Sequence, residues 1–247
     1  MNKFNGYKSL LIEIIRSDVK NYLGFVKSVY AAHLPVDQND FKINYKLIKT
    51  NADTILKHKI QNNSEIYTLS ELEEIVSACK KCGLHSTRKN IVFGKGSDKE
   101  RLVIVGEAPG AEEDETGEPF VGRAGQLLTK MLSAIGIERE NVYICNVLKC
   151  RPPNNRDPLP EEIIQCSFYL DRQIDLLKPK YILALGRIAA IRLLNKNSTM
   201  KELREGVHDY KGTPVIVTYH PSALLRNPNW KLPAWEDLKR LKELLEK

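Results

Sequence analysis

No run of apolar residues in this 247-residue chain approaches the ~20 that a membrane-spanning helix needs. The segment Met1-Asn2-Lys3-Phe4 has neither the apolar core nor the small-residue cleavage site of a secretory signal, so the expectation is a soluble cytoplasmic chain that avoids membranes. Internal repeats and low-complexity tracts are also missing. So are Gly-x-Gly-x-x-Gly and Gly-Lys-Ser/Thr, which argues against a nucleotide-phosphate loop. Cysteine is scarce and odd in number, at five. In a cytosolic chain such thiols read as metal ligands or small buried residues, not as a disulfide framework. Acidic residues are outnumbered, 31 Asp and Glu against 38 Lys and Arg, a net charge of +7. That balance suits a polyanionic partner, because Lys and Arg gain affinity for nucleic acid by releasing its counterions. The remainder, 42% hydrophobic and 28% charged, is a globular mix that excludes disorder over most of the chain.

Composition shifts near residue 65. Before it lie amphipathic stretches at helical spacing: Leu10-Leu11-Ile12-Glu13-Ile14-Ile15 with Leu23, Val26 and Val29, then Phe41, Ile43, Leu47, Ile48, Ile55 and Leu56. Residues 1–65 are expected to form a helical N-terminal extension, joined through Gln61-Asn62-Asn63-Ser64. It holds ten Lys and Arg against six Asp and Glu, more than half of the net charge. Residues 70–247 follow a different pattern. Ser70 with Glu73 three positions on predicts a helix start. Four apolar runs then appear, Leu102-Val103-Ile104-Val105, Val142-Tyr143-Ile144-Cys145, Tyr181-Ile182-Leu183-Ala184-Leu185 and Val215-Ile216-Val217-Thr218. They read as strands buried on both faces, with helical patterns between them at 125–135, 161–177 and 187–194. The alternation predicts an α/β fold: a three-layer α/β/α sandwich around a four-stranded parallel sheet.

Ligands of such sheets bind at the carboxyl ends of the strands. The first strand runs into Gly106-Glu107-Ala108-Pro109-Gly110, the second ends in Asn146, and the fourth runs into His220-Pro221-Ser222-Ala223-Leu224-Leu225-Arg226. A carboxylate, an amide and an imidazole are therefore expected on one edge of the sheet, with Phe120 nearby as a stacking ring. That set suits hydrolysis on a planar heterocycle. Cys79-Lys80-Lys81-Cys82 is a C-x-x-C pair, and Cys150 and Cys166 follow. Four thiolates are enough for zinc or for a [4Fe–4S] cluster, and spacing alone does not choose between them. Cys145 lies inside a strand and reads as a buried apolar residue.

Over residues 70–247 the sequence resembles the family 4 uracil-DNA glycosylases, the iron–sulfur branch of their superfamily. The likeness rests on Gly106-Glu107-Ala108-Pro109-Gly110, on His220 to Arg226, on Gly117-Glu118-Pro119-Phe120-Val121-Gly122-Arg123-Ala124-Gly125-Gln126-Leu127-Leu128, and on Asn146-Val147-Leu148-Lys149-Cys150-Arg151-Pro152-Pro153. The resemblance implies that Cys79, Cys82, Cys150 and Cys166 hold a [4Fe–4S] cluster of structural role. It implies a monofunctional enzyme that flips uracil out of DNA and hydrolyses its N-glycosidic bond, leaving an abasic site for base excision repair. Gly106, Ala108 and Phe120 would enclose the base, Asn146 would read its edge, His220 would bond O2, and Glu107 would direct water at C1′. Glu113 would help exclude the methyl of thymine. Leu224, with Leu225, would wedge into the vacated stack, while Arg226, Ser222 and Arg151 would meet the DNA.

Two departures bear on this. The best-known uracil glycosylases carry Asp where this chain has Ala108. Residues 151–160 hold no histidine of the kind with which one branch bonds DNA covalently, so turnover is expected. A monomer acting at the nucleoid is expected, with residues 1–65 available to replication or repair proteins. The competing reading is an iron–sulfur nucleic-acid-binding accessory protein with little catalysis; mere binding would not require Glu107, Phe120, Asn146 and His220 together.

Overall fold

The computed structural model describes residues 68–96 and 101–246. The chain divides into two compact units, Met1–Tyr67 and Thr68–Lys247. The expected helical extension over 1–65 lies outside the described residues.

The second unit is built on strands β1 (Leu102–Gly106), β2 (Tyr143–Asn146), β3 (Tyr181–Leu185), β4 (His208–Tyr210) and β5 (Thr213–Thr218). They form one sheet in the order β2-β1-β3-β5-β4. The four expected strands are all parallel, and β4 runs antiparallel to β5 at the edge. This fifth strand corrects the count of four. It has three residues and closes a two-residue turn at Lys211-Gly212, both with positive φ. Turns of that hand match strand twist, but Lys-Gly lacks the Asn or Asp that usually marks them.

The helices are α1 (Leu69–Ser77), α2 (Ala111–Thr116), α3 (Arg123–Ser133), α4 (Pro160–Leu177), α5 (Gly186–Leu194), α6 (Met200–Leu203), α7 (Pro221–Arg226) and α8 (Lys231–Leu245). The start of α1 differs from expectation. Thr68, not Ser70, caps it, with the Glu71 side chain bonded back to the Thr68 N–H at 2.9 Å. The same Ser/Thr-x-x-Glu rule fits both positions, and Thr68 takes the extended backbone a cap needs.

Every residue of β1, β2 and β3 is buried, as strands covered on both faces must be. Alternate side chains sort to the two faces. Leu102, Ile104, Ile144, Leu183 and Ile216 pack with Leu128 and Leu132 of α3, Leu224 of α7 and Leu238 and Leu241 of α8. On the other face α5 packs over β1, β3 and β5, and Gln173 of α4 bonds the Tyr143 hydroxyl of β2 at 3.1 Å. The three expected layers result. No helix among the described residues is long and apolar enough to cross a membrane.

Candidate active site

The parallel register sets Gly106 of β1 beside Asn146 of β2, each the last residue of its strand. A side chain at Gly106 would collide with both neighbours: a Cβ there would lie 2.3 Å from the Asn146 Oδ1 and 2.5 Å from the Phe120 ring. Glycine thus lets amide and ring meet over one strand end. Asn146 is 1% exposed. Its Oδ1 is buried and has no hydrogen-bond partner. An orphaned acceptor in such a place costs free energy until something donates to it.

Phe120 adopts φ of +54°, a left-handed conformation uncommon for an aromatic residue. Its ring centroid lies 5.5 Å from that of His220. The conformation is held from below by Glu113 of α2. One carboxylate oxygen accepts from the N–H groups of Val121 and Gly122, both at 2.9 Å, and the other from Gly110 at 3.1 Å. Glu113 therefore joins the glycine-rich turn after β1 to the loop that carries Phe120. The expected contact with the base edge finds no support in these bonds, which commit both oxygens to backbone.

His220 lies two residues past β5 and caps α7. Its Nδ1 accepts from the Ser222 N–H at 3.2 Å and lies 2.8 Å from the Ser222 hydroxyl. Accepting at Nδ1 leaves Nε2 to carry the hydrogen of the neutral ring. Burial, then the Arg226 guanidinium, pulls the His220 pKa down to about 4. Glu107, one residue past β1, moves the other way. Burial, then the Asp157 carboxylate, pushes its pKa up to about 7, against the pull of Arg226. Arg226 thus sits within electrostatic reach of both groups. A carboxylate titrating near neutrality and a neutral imidazole, both following strands on one edge of the sheet, are suited to base and hydrogen-bond donor.

Beside this pocket opens a cleft of about 420 Å³, bordered by Gly110, Arg123, Asn155, Ser222, Leu225 and Arg226. Of the two leucines expected to wedge, only Leu225 is exposed, at 39%; Leu224 is 2% exposed and packs in the core. The structure thus brings Leu225, Ser222 and Arg226 to the cleft and withdraws Leu224 from it, a correction that follows from the helical turn of α7. Arg151 is half-buried and donates from Nε to Asn155 at 2.8 Å. Arg123 and Asn155, which sequence reasoning did not single out, border the same cleft. Their signal was the N-terminus of an amphipathic helix and the loop after β2.

Cys79, Cys82, Cys150 and Cys166 line one cavity, with Arg88, Lys149 and Tyr169. They come from the segment after α1, the loop after β2, and α4. The Arg88 guanidinium donates to the Cys150 sulfur at 3.1 Å. Burial raises the Cys82 and Cys150 pKa values and pushes Cys166 up to about 12. Among the described residues no three His, Cys, Asp or Glu side chains close round a single ion position. Four thiols lining one cavity are a donor set that suits an iron–sulfur cluster or a zinc ion. Cys145 is 0% exposed inside β2, as expected of a core residue.

Residues 93–239 match the uracil DNA glycosylase superfamily. The chain belongs to that superfamily. Its members include three relatives named type-4 uracil-DNA glycosylase. The protein of Thermotoga maritima is 48% identical over 74% of this chain and 99% of its own length. That of Archaeoglobus fulgidus is 46% identical over 73% of this chain and 94% of its own. That of Sulfurisphaera tokodaii is 48% identical over 72% and 84%. The superfamily match spans β1 through most of α8, and so includes Glu107, Phe120, Asn146 and His220. It leaves out Cys79 and Cys82, which precede residue 93.

Proposed function

We propose that this chain is a monofunctional uracil-DNA glycosylase of base excision repair. The observation that carries the reading is the orphaned Oδ1 of Asn146, buried at a strand end beneath an aromatic ring. Uracil offers N3–H as a donor next to O4 as an acceptor, so one carboxamide satisfies both. Cytosine reverses that pattern and does not pair with the amide in the orientation that pairs uracil, a mismatch worth about 10⁴–10⁵ in selectivity where a site is built for the right partner. The base must leave the duplex to reach this depth. Phe120 stacks on it, Leu225 fills the space it vacates, and Arg226 and Arg151 take neighbouring phosphates.

Hydrolysis then divides between two side chains. The C1′–N1 bond breaks and its electron pair leaves with uracil. The Nε2–H of His220 bonds O2, where that negative charge collects, and a neutral donor does so without first giving up its proton. Glu107, ionised, accepts a proton from the water that adds to C1′. Half-buried and near a second carboxylate, it is a stronger base than an exposed glutamate. Uracil leaves as the N1 anion and takes a proton from solvent, to which Glu107 returns the one it accepted; the products are free uracil and an abasic sugar. The four cysteines would hold an iron–sulfur cluster, whose chemistry when bound is to cross-link the segment after α1, the loop after β2 and α4.

The deciding experiment is release of uracil from an oligonucleotide with a single deoxyuridine, followed by alkaline cleavage of the strand. Cleavage at uracil, none at thymine or cytosine, and loss of at least a hundredfold in Asn146→Ala and His220→Ala are expected. A folded, DNA-binding wild type that cleaves nothing would leave the accessory-protein reading standing instead.

A further inference from the structure

Lys149 is one of the largest side chains in the molecule to be buried completely, at 1% exposure. Its Nζ donates to the backbone carbonyl of Asn146 at 2.8 Å and to the Oε1 of Gln173. Gln173 cannot turn away, because its amide nitrogen is committed to the Phe93 carbonyl at 3.0 Å and the Tyr143 hydroxyl at 3.1 Å. Both acceptors of the Lys149 amine are thus neutral. A buried amine of this kind is costly unless an anion lies close. The groups able to supply one are the cysteines. Lys149 lines their cavity and precedes Cys150 in the chain. Its second acceptor, Gln173, stands seven residues beyond Cys166 on α4, and so on the same helical face.

We propose that Lys149 is a positioning residue that couples occupancy of the cysteine cavity to the placement of Asn146, the side chain that reads uracil. This rests on the glycosylase reading for the role of Asn146, and on the four-cysteine cavity for the anion. Four thiolates round a cluster put net negative charge beside the Lys149 amine. The amine then stays in place and holds the Asn146 carbonyl, and with it the end of β2. With the cavity empty, the amine faces only neutral partners, and its hold on Asn146 weakens. The backbone flanking that residue supplies reporters: the Val147 and Leu148 N–H groups bond the Gly106 and Glu107 carbonyls, each at 3.0 Å.

The test compares the full chain as wild type, Lys149→Met and Gln173→Glu, each loaded with cluster and stripped by chelator. Iron and sulfide per chain, melting temperature, and hydrogen exchange at Val147 and Leu148 are measured. In the wild type, stripping should accelerate exchange at both amides. Lys149→Met should exchange fast even when loaded, should lose its cluster to chelator about 10–100-fold faster, and should show a smaller gap in melting temperature between loaded and stripped forms. Gln173→Glu gives the amine a carboxylate within the chain. The variant also loses the bond to the Phe93 carbonyl in both forms, so the gap is the readout: its loaded and stripped forms should differ less in melting temperature than those of the wild type, and its cluster should be lost faster. Wild-type exchange and wild-type cluster retention in loaded Lys149→Met would overturn the proposal. If that variant does not accumulate, an unchanged Gln173→Glu overturns it alone. None of these readouts uses DNA, so a wild type that holds its cluster but releases no uracil sinks the glycosylase reading and leaves the coupling to stand or fall separately.

Discussion

Glu107 titrates near neutrality because it is partly withdrawn from solvent and because Asp157 lies close, and a base works only when ionised. With its pKa at about 7, kcat/KM should fall about tenfold per unit as pH drops below that value and level off above it. His220, held near 4, stays neutral across this range and adds no limb above pH 5. Glu107→Gln should abolish the limb and cost about 10²–10⁴ in rate. The linkage runs the other way for stability. The folded pKa lies above the unfolded one, so ionising Glu107 costs folding free energy once pH rises past the ordinary carboxylate range. Glu107→Gln should therefore be more stable than wild type at pH 8, by roughly 1–3 kcal/mol, and equal to it at pH 4, as urea titrations at the two pH values would show. Gly106→Ala tests the pocket floor: with 2.3 Å to the Asn146 Oδ1, a methyl group displaces the amide or the ring, and uracil release should be lost in a protein that still binds DNA. The positions of Glu107, Asn146 and His220 on one edge of the sheet were legible in the sequence because each lies at, or within two residues of, the end of a strand. Glu113 was reached only through the family resemblance, which put it at the base edge; its bonds in the fold go to backbone. Its partners are backbone N–H groups of glycines and a valine, and no residue type announces those.

Single turns of helix separate stability from function in α2 and α7. Leu224 and Leu225 are neighbours in sequence, yet one faces the core and the other the cleft. Leu224→Ala should cost about 2–5 kcal/mol of stability, the usual penalty of a core cavity. Leu225→Ala should leave the melting temperature nearly unchanged. It should slow uracil release from duplex more than from single strands, because only a duplex leaves a gap to be filled. On α2, Glu113→Gln keeps the bulk of the side chain but presents an amide nitrogen to a backbone donor, so it loosens the loop of Phe120. If Glu113 acts by holding that loop, Glu113→Gln and Glu113→Ala should both lower uracil release by tenfold or more, and neither should release thymine. Thymine release by the alanine variant, with a normal glutamine variant, would restore the role first expected at the base edge. The four parallel strands were readable because burial on both faces makes strands apolar throughout. Strand β4 was not, since an edge strand of three residues hides no apolar face. The α1 cap was misplaced by two residues, since two overlapping Ser/Thr-x-x-Glu patterns satisfied one rule and only backbone conformation separates them.

Charge belongs to the whole chain. Every residue of the candidate site and all four cysteines of the cavity lie within Thr68–Lys247, while residues 1–65 hold ten Lys and Arg against six Asp and Glu. The candidate site and more than half of the net positive charge thus lie in different stretches of sequence. Binding to a polyanion weakens with salt in proportion to the phosphates neutralised, with a slope of about −0.9 per phosphate on duplex DNA. A chain beginning at Thr68 should therefore keep the kcat of the full chain on a uracil oligonucleotide. If the excess cations of the first stretch reach DNA, it should also bind more weakly at low salt and show a shallower dependence of log K on log salt. The two chains should converge as salt rises, because what the truncation removes is the screened part of the attraction. Equal slopes would mean that the positive charge of residues 1–65 never meets DNA, and would direct attention to a protein partner for that stretch. A fall in kcat at saturating DNA would mean that residues 1–65 contribute to the catalytic unit, against the division drawn at Tyr67.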